Sequence, residues 1–347
     1  MSATPHRPTP APRSTPSDPS PSSGGNKDRV ISDGARAALG AAGILLVILV
    51  PAVLTLRTVE EGVTRVQTSN PTPHGYTISL LLYLIPIATL LTWFFRKNPR
   101  GSARRGAFNW TIGLLTPMGF LLDIVFGNLF FSFPNKDATL QVFLPGYSFV
   151  TGGLVYDLPI EEFIFYVSGF IAILLVYIWC NEVWVPHYGV ADGDTSRHPP
   201  YLFQLHWKSA VYGVIALAAA IAYKKLFARV SEMGDYREGF PLYFTFLLAA
   251  AVLPSLLLYR SARPFINWRA FSFTLLWVLL TSLLWEATLA SPFGWWHYRE
   301  TWMMGMHIRA WSDLPVEAAI LWVAVTYTTT IVYETIKVNL HLRKRAS

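Results

Sequence analysis

The sequence predicts an all-α integral membrane protein of about eight transmembrane helices in two parallel four-helix repeats. Three observations predict it. First, 52% of the 347 residues are hydrophobic and only 14% are charged, too few to cover the surface of a soluble domain of this length. Second, eight apolar runs follow one another, each near the roughly 20 residues that a spanning helix needs. Third, a short acidic stretch occurs twice. Asp157-Leu158-Pro159-Ile160-Glu161 opens one apolar run and Asp313-Leu314-Pro315-Val316-Glu317 opens another.

The elements follow in order. Residues 1–33 form a Pro- and Ser-rich tail with almost no large apolar side chains, so disorder is expected there. The apolar runs cover 36–56, 76–96, 107–131, 158–180, 208–229, 240–260, 267–288 and 314–337. The first repeat is expected over 34–205 and the second over 206–347. The net charge of +7 does not point to nucleic acid, because the Lys and Arg residues sit between the runs. Arg96, Lys97, Arg100, Arg104 and Arg105 crowd one connection, Arg260, Arg263 and Arg269 another, and Lys337, Arg343, Lys344 and Arg345 the C-terminal end. Positive-inside placement of all three puts both termini in the cytoplasm and the protein in the cell membrane. Lys224 and Lys225 fall at the opposite end, against the positive-inside pattern, where snorkelling to the interface is one way to place them. No signal peptide opens the sequence. A single cysteine, Cys180, excludes an internal disulfide.

The repeat rests on two anchors. Asn267-Trp268 follows Asn109-Trp110 at 267 − 109 = 158 residues, and Asp313 follows Asp157 at 313 − 157 = 156 residues. Four spans separate equivalent helices, an even number, so the repeats are expected to be parallel.

Five acidic side chains are the candidate catalytic residues. Asp123 and Glu286 lie near the ends of runs three and seven; Glu161, Glu162 and Glu317 lie at the starts of runs four and eight. Antiparallel spans bring all five to one leaflet. Carboxylates at the edge of hydrocarbon are costly and mark function by default. A Glu in a first helical turn also has a structural reading, because the helix dipole favours it there. Asp157 and Asp313 read as N-caps, with the prolines in the first turn. Phe126, Trp285, Trp295, Trp296 and Tyr298 are the candidate substrate-binding residues. Their structural reading is an interfacial belt; their functional one is a cavity whose ring faces stabilise a carbocation. His297 and His307 fit no metal-ligand spacing, and no Gly-rich dinucleotide loop occurs, so neither metal nor cofactor is expected. Asp192-Gly193-Asp194 is the nearest approach to a diphosphate-binding motif.

These residues carry a family resemblance. Asp123, Gly152-Gly153 and Pro159-Ile160-Glu161-Glu162-Phe163-Ile164-Phe165 in one half, and Glu286, Gly294-Trp295-Trp296-His297-Tyr298, Gly305 and Pro315-Val316-Glu317 in the other, resemble the integral-membrane lycopene cyclases. In that family two homologous halves each offer an acidic helix end and a Pro-x-Glu-Glu motif. The resemblance covers residues 76–337 and departs at Ala318, where the second glutamate of the motif is expected, and at Leu122, where a Trp is. It implies a redox-neutral cyclisation of a linear carotenoid taken from the bilayer, with Glu161 the strongest candidate for the acid–base role. A carboxylic acid protonates a terminal double bond, the cation closes a six-membered ring, and a carboxylate removes a proton. Two other functions compete on the sequence: cyclisation of another membrane isoprenoid, and proton-coupled transport through intramembrane carboxylates.

Overall fold

The computed structural model describes residues 73–189, 201–228, 230–231, 234–235, 237–309 and 311–346. The N-terminal tail, the apolar run at 36–56 and Asp192-Gly193-Asp194 lie outside the described residues. Among the described residues seven helices are long and apolar enough to cross a membrane. They are α1 (Gly75–Lys97), α2 (Ala103–Phe130), α3 (Ile160–Trp179), α4 (Trp207–Phe227), α5 (Leu242–Ala262), α6 (Trp268–Trp285) and α7 (Glu317–Ala346). Each apolar run expected over the described residues is a helix, with ends shifted by a few positions and α7 running on towards the C-terminus.

Successive helices run in opposite directions, and their contacts define two ends of the bundle. At one end the C-terminus of α1, the N-terminus of α2 and the tail of α3 meet where Lys97 and Arg104 grip Glu182. The N-terminus of α6 joins them through Asn267, whose side chain donates to Asn181 Oδ1 at 2.7 Å. This is the basic end. At the other, acidic end the N-termini of α1 and α3 meet through Tyr76 and Glu162, and the last turn of α6 reaches α1 through Trp285 Nε1 and Ser79 Oγ at 3.2 Å.

Helices α3 and α7 occupy the centre. About two-thirds of the apolar window of α3 is buried (67%) and 61% of that of α7, against 17–33% for the other helices. The outer helices keep rows of exposed Leu, Ile and Val that suit lipid, such as Leu81, Leu82 and Ile85 on α1. Two π-helical turns extend the central and site-bearing helices, Cys180–Trp184 after α3 and Glu286–Ala290 after α6.

Short ladders frame the acidic end. Strand β1 (Phe131–Ser132) pairs with β6 (His297–Tyr298), β2 (Phe143–Ser148) with β3 (Gly153–Pro159), and β7 (His307–Ile308) with β8 (Leu314–Pro315), all antiparallel; a fourth pair, β4 (Val230–Ser231) with β5 (Gly234–Asp235), follows α4. Both Leu-Pro anchors end a strand that leads into a central helix. Phe143 opposes Pro159 and Leu144 opposes Leu158; His307 opposes Pro315 and Ile308 opposes Leu314.

Three local expectations need correction. Asp157 is not an N-cap: it lies inside β3, and the α3 cap position is Pro159, with no side-chain cap bond. Asp313 takes a left-handed backbone, φ 58°, four residues ahead of Glu317, where it turns the chain before β8. In both places ladder pairing, rather than a side chain, sets the entry angle. The Asn-Trp pairs also differ. Asn267 caps α6 by accepting from Ala270 N–H, whereas Asn109 lies inside α2, because Ser102 caps that helix earlier.

Candidate active site

Two loops, residues 131–159 and 291–316, cover the acidic end and are knitted together. Besides the β1–β6 ladder, Asn135 N–H donates to Gly294 O (3.1 Å) and Arg299 N–H to Phe130 O (2.8 Å). Gly294 has φ +63°, a left-handed conformation that glycine adopts without strain. The carboxylates lie beneath this cover.

Glu161 and Glu162 are adjacent on α3 and point about 100° apart. Glu161 is fully buried and turned towards the loop. It accepts from Thr77 Oγ1 at 2.5 Å and from Leu140 N–H at 2.7 Å. Glu317 is held alike: also fully buried, it accepts from Met304 N–H at 2.5 Å. Leu140 and Met304 each stand three residues before the strand residue opposite the proline, Phe143 and His307. Both glutamates therefore brace a loop against a helix start.

Glu162 and Glu286 do something else. Glu162 accepts from the Tyr76 hydroxyl at 2.7 Å, and Glu286 accepts from Trp296 Nε1 at 3.1 Å and, by a short bond, from the Tyr298 hydroxyl. Both line one cavity of about 20 Å³, with Phe165, Tyr166, Trp285, Trp296, Tyr298 and Trp322 among its walls. That volume admits about one water molecule. Glu286 is the first residue of a π-helical turn, a local widening often found at functional sites. Burial and the neighbouring Glu286 push the Tyr298 phenol well up, so it stays a proton-bearing donor.

Asp123 lies in a second cavity of about 100 Å³ between α2, α3, α5 and α7. The walls are almost wholly apolar, and Asp123 Oδ2 is buried with no hydrogen-bond partner. A Cβ at Gly127 would stand 2.7 Å from Asp123 Oδ1, so glycine there makes room for the carboxyl group. Phe131, Tyr166 and Leu321 line both cavities and form the partition between them. Met118, 44% exposed, lines the larger one, which places that cavity at the edge of the bundle.

Of the expected substrate-binding residues, Trp285, Trp296 and Tyr298 line the small cavity and Phe126 the larger one. Trp295 lines neither; it stacks on Tyr76 with centroids 5.4 Å apart and supports that ring from behind. His297 is exposed in β6, and partial desolvation of its ring lowers its pKa. His307 pairs with Glu300 at 2.8 Å. Among the described residues no group of three or more His, Cys, Asp or Glu is placed to hold a metal ion.

Several site residues escaped the sequence reading. Tyr166 had a signal, standing one turn after Glu162 on the same helix face. Tyr76 and Thr77 had none, since partners from a helix 84 to 86 residues away are chosen by tertiary packing. Lys224 departs from the snorkelling expectation. It is fully buried and donates to backbone carbonyls of the 291–316 loop, whereas Lys225 stays at the surface on Arg237 O. No family model, no curated protein and no solved structure matches the chain.

Proposed function

We propose that the protein is an intramembrane cyclase that closes a six-membered ring at the end of a linear, lycopene-like carotenoid by acid–base carbocation chemistry. One observation carries the reading furthest. Glu162 and Glu286 converge on one aromatic-walled cavity, next to an apolar chamber holding Asp123, and their hydrogen-bond donors are neutral.

The chain end enters from the lipid past Met118 and occupies the larger cavity. A carboxylic acid of the Glu162–Glu286–Asp123 group adds a proton to the terminal double bond and leaves a tertiary cation. A nearby double bond of the same chain attacks it, one C–C bond forms, and the positive charge moves into the ring. A carboxylate of the group then takes a proton from the adjacent carbon, restoring a double bond. One proton enters and one leaves, so no oxidant or reductant is needed. Closely placed carboxyl groups resist ionising together, which keeps a donor and an acceptor in one site. Phe131, Trp285 and Trp296 line the cavities, where a ring face turned to the substrate favours a cation through its quadrupole.

The reading includes a parallel repeat in which α3 and α7 are equivalent, and both termini in the cytoplasm. Ladder pairing before each central helix and the matching Leu140 and Met304 bonds support the equivalence. Ala318 stands where Glu162 stands in the first half, so the acid–base group is built once. That same substitution favours a second reading, a cyclase of a different membrane isoprenoid with this chemistry.

Expression in a lycopene-accumulating host followed by pigment chromatography tests the proposal. Ring-bearing carotenoid is expected from the wild-type chain and linear pigment from Glu162→Gln. Linear pigment from both overturns the carotenoid assignment.

A further inference from the structure

Lys224 lies in the last turn of α4, and its side chain is fully buried. A buried ammonium group is costly unless acceptors surround it. Lys224 Nζ donates to Thr301 O at 3.2 Å and to Met303 O at 2.5 Å. The Met303 carbonyl and the Met304 N–H belong to one planar peptide unit. That N–H donates to Glu317 Oε1 at 2.5 Å. Ammonium, peptide and carboxylate thus stand in series.

The order has a physical consequence. A positive charge on the carbonyl oxygen polarises the peptide and strengthens its N–H as a donor, and a carboxylate on the N–H strengthens the carbonyl as an acceptor. Each end of the series therefore reinforces the other. The first half solves the same problem without a lysine. There Glu161 takes the Leu140 N–H together with the Thr77 hydroxyl. The other oxygen of Glu317, Oε2, is buried with no hydrogen-bond partner, so the Met304 bond is its main tether.

We infer that Lys224 is the positioning residue of Glu317. It holds the 301–304 segment so that Met304 N–H meets the carboxylate, and it supplies the opposite charge across one peptide. The coupling itself is independent of the reaction; only its effect on cyclisation rests on the proposed function.

The test is a thermal double-variant cycle on the full chain in detergent: wild type, Lys224→Met, Glu317→Gln, and both together. Each single change is expected to lower the unfolding midpoint. The double variant is expected to unfold no lower than the worse single one, because the shared interaction is lost only once. Lys224→Arg, which keeps the charge, is expected to stay above Lys224→Met. Shifts that add fully, or an arginine no better than methionine, overturn the inference. Where Lys224→Met alone yields no folded protein, Lys224→Arg is expected to fold, and its failure to fold overturns the inference. Pigment analysis runs alongside. Lys224→Met is expected to lower cyclisation in the wild-type background and to add nothing in the Glu317→Gln background. Absence of cyclised pigment from the wild type counts against the proposed function and leaves the thermal cycle to judge Lys224.

Discussion

Buried glutamates occur at both ends of the helix bundle, and the two ends hold them in opposite ways. At the basic end Glu182 faces Lys97 at 2.8 Å and Arg104 at 2.9 Å, and Glu334 faces Lys337 at 2.7 Å with the Tyr177 hydroxyl at 2.9 Å. At the acidic end Glu161, Glu162, Glu286 and Glu317 accept from hydroxyl, indole and backbone N–H donors, and two of them border cavities. A carboxylate against a cation is a fixed anion, and at Glu182 it ties α1 and α2 to the end of α3. At Glu162 and Glu286 the donors are neutral and a cavity adjoins, the arrangement on which the proposed proton exchange rests. Residue type is the same; partners and cavity distinguish the fastening at the basic end from the proposed reaction centre at the acidic end.

The largest effect expected from this contrast is on turnover. Glu162→Gln keeps the side-chain shape and a hydrogen-bonding group but removes the acid and the base. Cyclisation is expected to fall by about 10²–10⁴-fold with the helix bundle intact. Glu182→Gln, a change of the same type at the basic end, is expected to leave the pigment ratio per folded molecule unchanged. Chromatography at matched protein levels reads both. Equal losses in the two variants would erase the functional distinction between the ends.

Next comes stability. The Glu334–Lys337 pair is almost wholly buried, with side chains 0% and 5% exposed. Removing one member of such a pair strands the other charge, a cost of about 3–5 kcal/mol in comparable cases. Glu334→Gln is therefore expected to lower the thermal midpoint markedly while the surviving folded protein cyclises normally. A smaller thermal loss than that of Glu162→Gln would reverse the assignment of the two ends.

Much of this contrast was legible in the sequence, and some was not. The seven described spans were, because hydrocarbon requires long apolar stretches and loops collect the charge. So were the five acidic positions, because carboxylates are rare at such depths. Which of Glu161 and Glu162 meets the cavity was not. α3 is apolar on nearly every side, so its composition defines no face, and the choice was left to Tyr76, Thr77 and Leu140. Glu161, the motif's leading candidate, accepts from Leu140 N–H of the loop, while Glu162 lines the small cavity. The strand pairs were missed for a related reason. Two-residue ladders such as β7–β8 have no room for a period-2 pattern, and β2–β3 contains Pro145 and Gly146, which weaken a strand reading.

A smaller effect sharpens the comparison in the 291–316 loop above the acidic end, where His307 and Glu300 form an ionic pair. Burial opposes protonation of His307, but its hydrogen bond to Glu300 and the charges of Glu300, Asp313 and Glu317 outweigh burial and hold its pKa above the ordinary value. A group raised on folding stabilises the folded state while protonated. The contribution is full below the unfolded value of about 6.5 and is lost as pH rises through the folded value. The thermal midpoint is expected to decline across that window, and Glu300→Gln to flatten the decline. A flat wild-type profile would mean that His307 gains nothing from this pair on folding.

The smallest effect concerns Asp157, and it separates two accounts of how α3 begins. A side-chain N-cap lost to alanine costs about 0.5–2 kcal/mol, of which salt screens only the charge–dipole part and leaves the hydrogen bond. The geometry gives Asp157 a different partner. It lies in β3, two residues ahead of the Pro159 cap position, and faces Lys136 Nζ at 3.1 Å. Both side chains are about half exposed, 55% for Lys136 and 52% for Asp157, so water screens the pair and its worth is about 0–1 kcal/mol. Lys136 also lies over the Phe143 ring at 5.1 Å, a contact that survives removal of the carboxylate. Asp157→Ala is therefore expected to shift the midpoint only slightly, and the shift is expected to vanish in high salt and in a Lys136→Ala background. A larger loss that persists in high salt would restore the cap and mean that α3 is started by its own side chain. The expected outcome leaves the start of α3 to the β2–β3 ladder, whose last pair sets Pro159 against Phe143 and fixes the turn that sends Glu161 to the loop and Glu162 to the cavity.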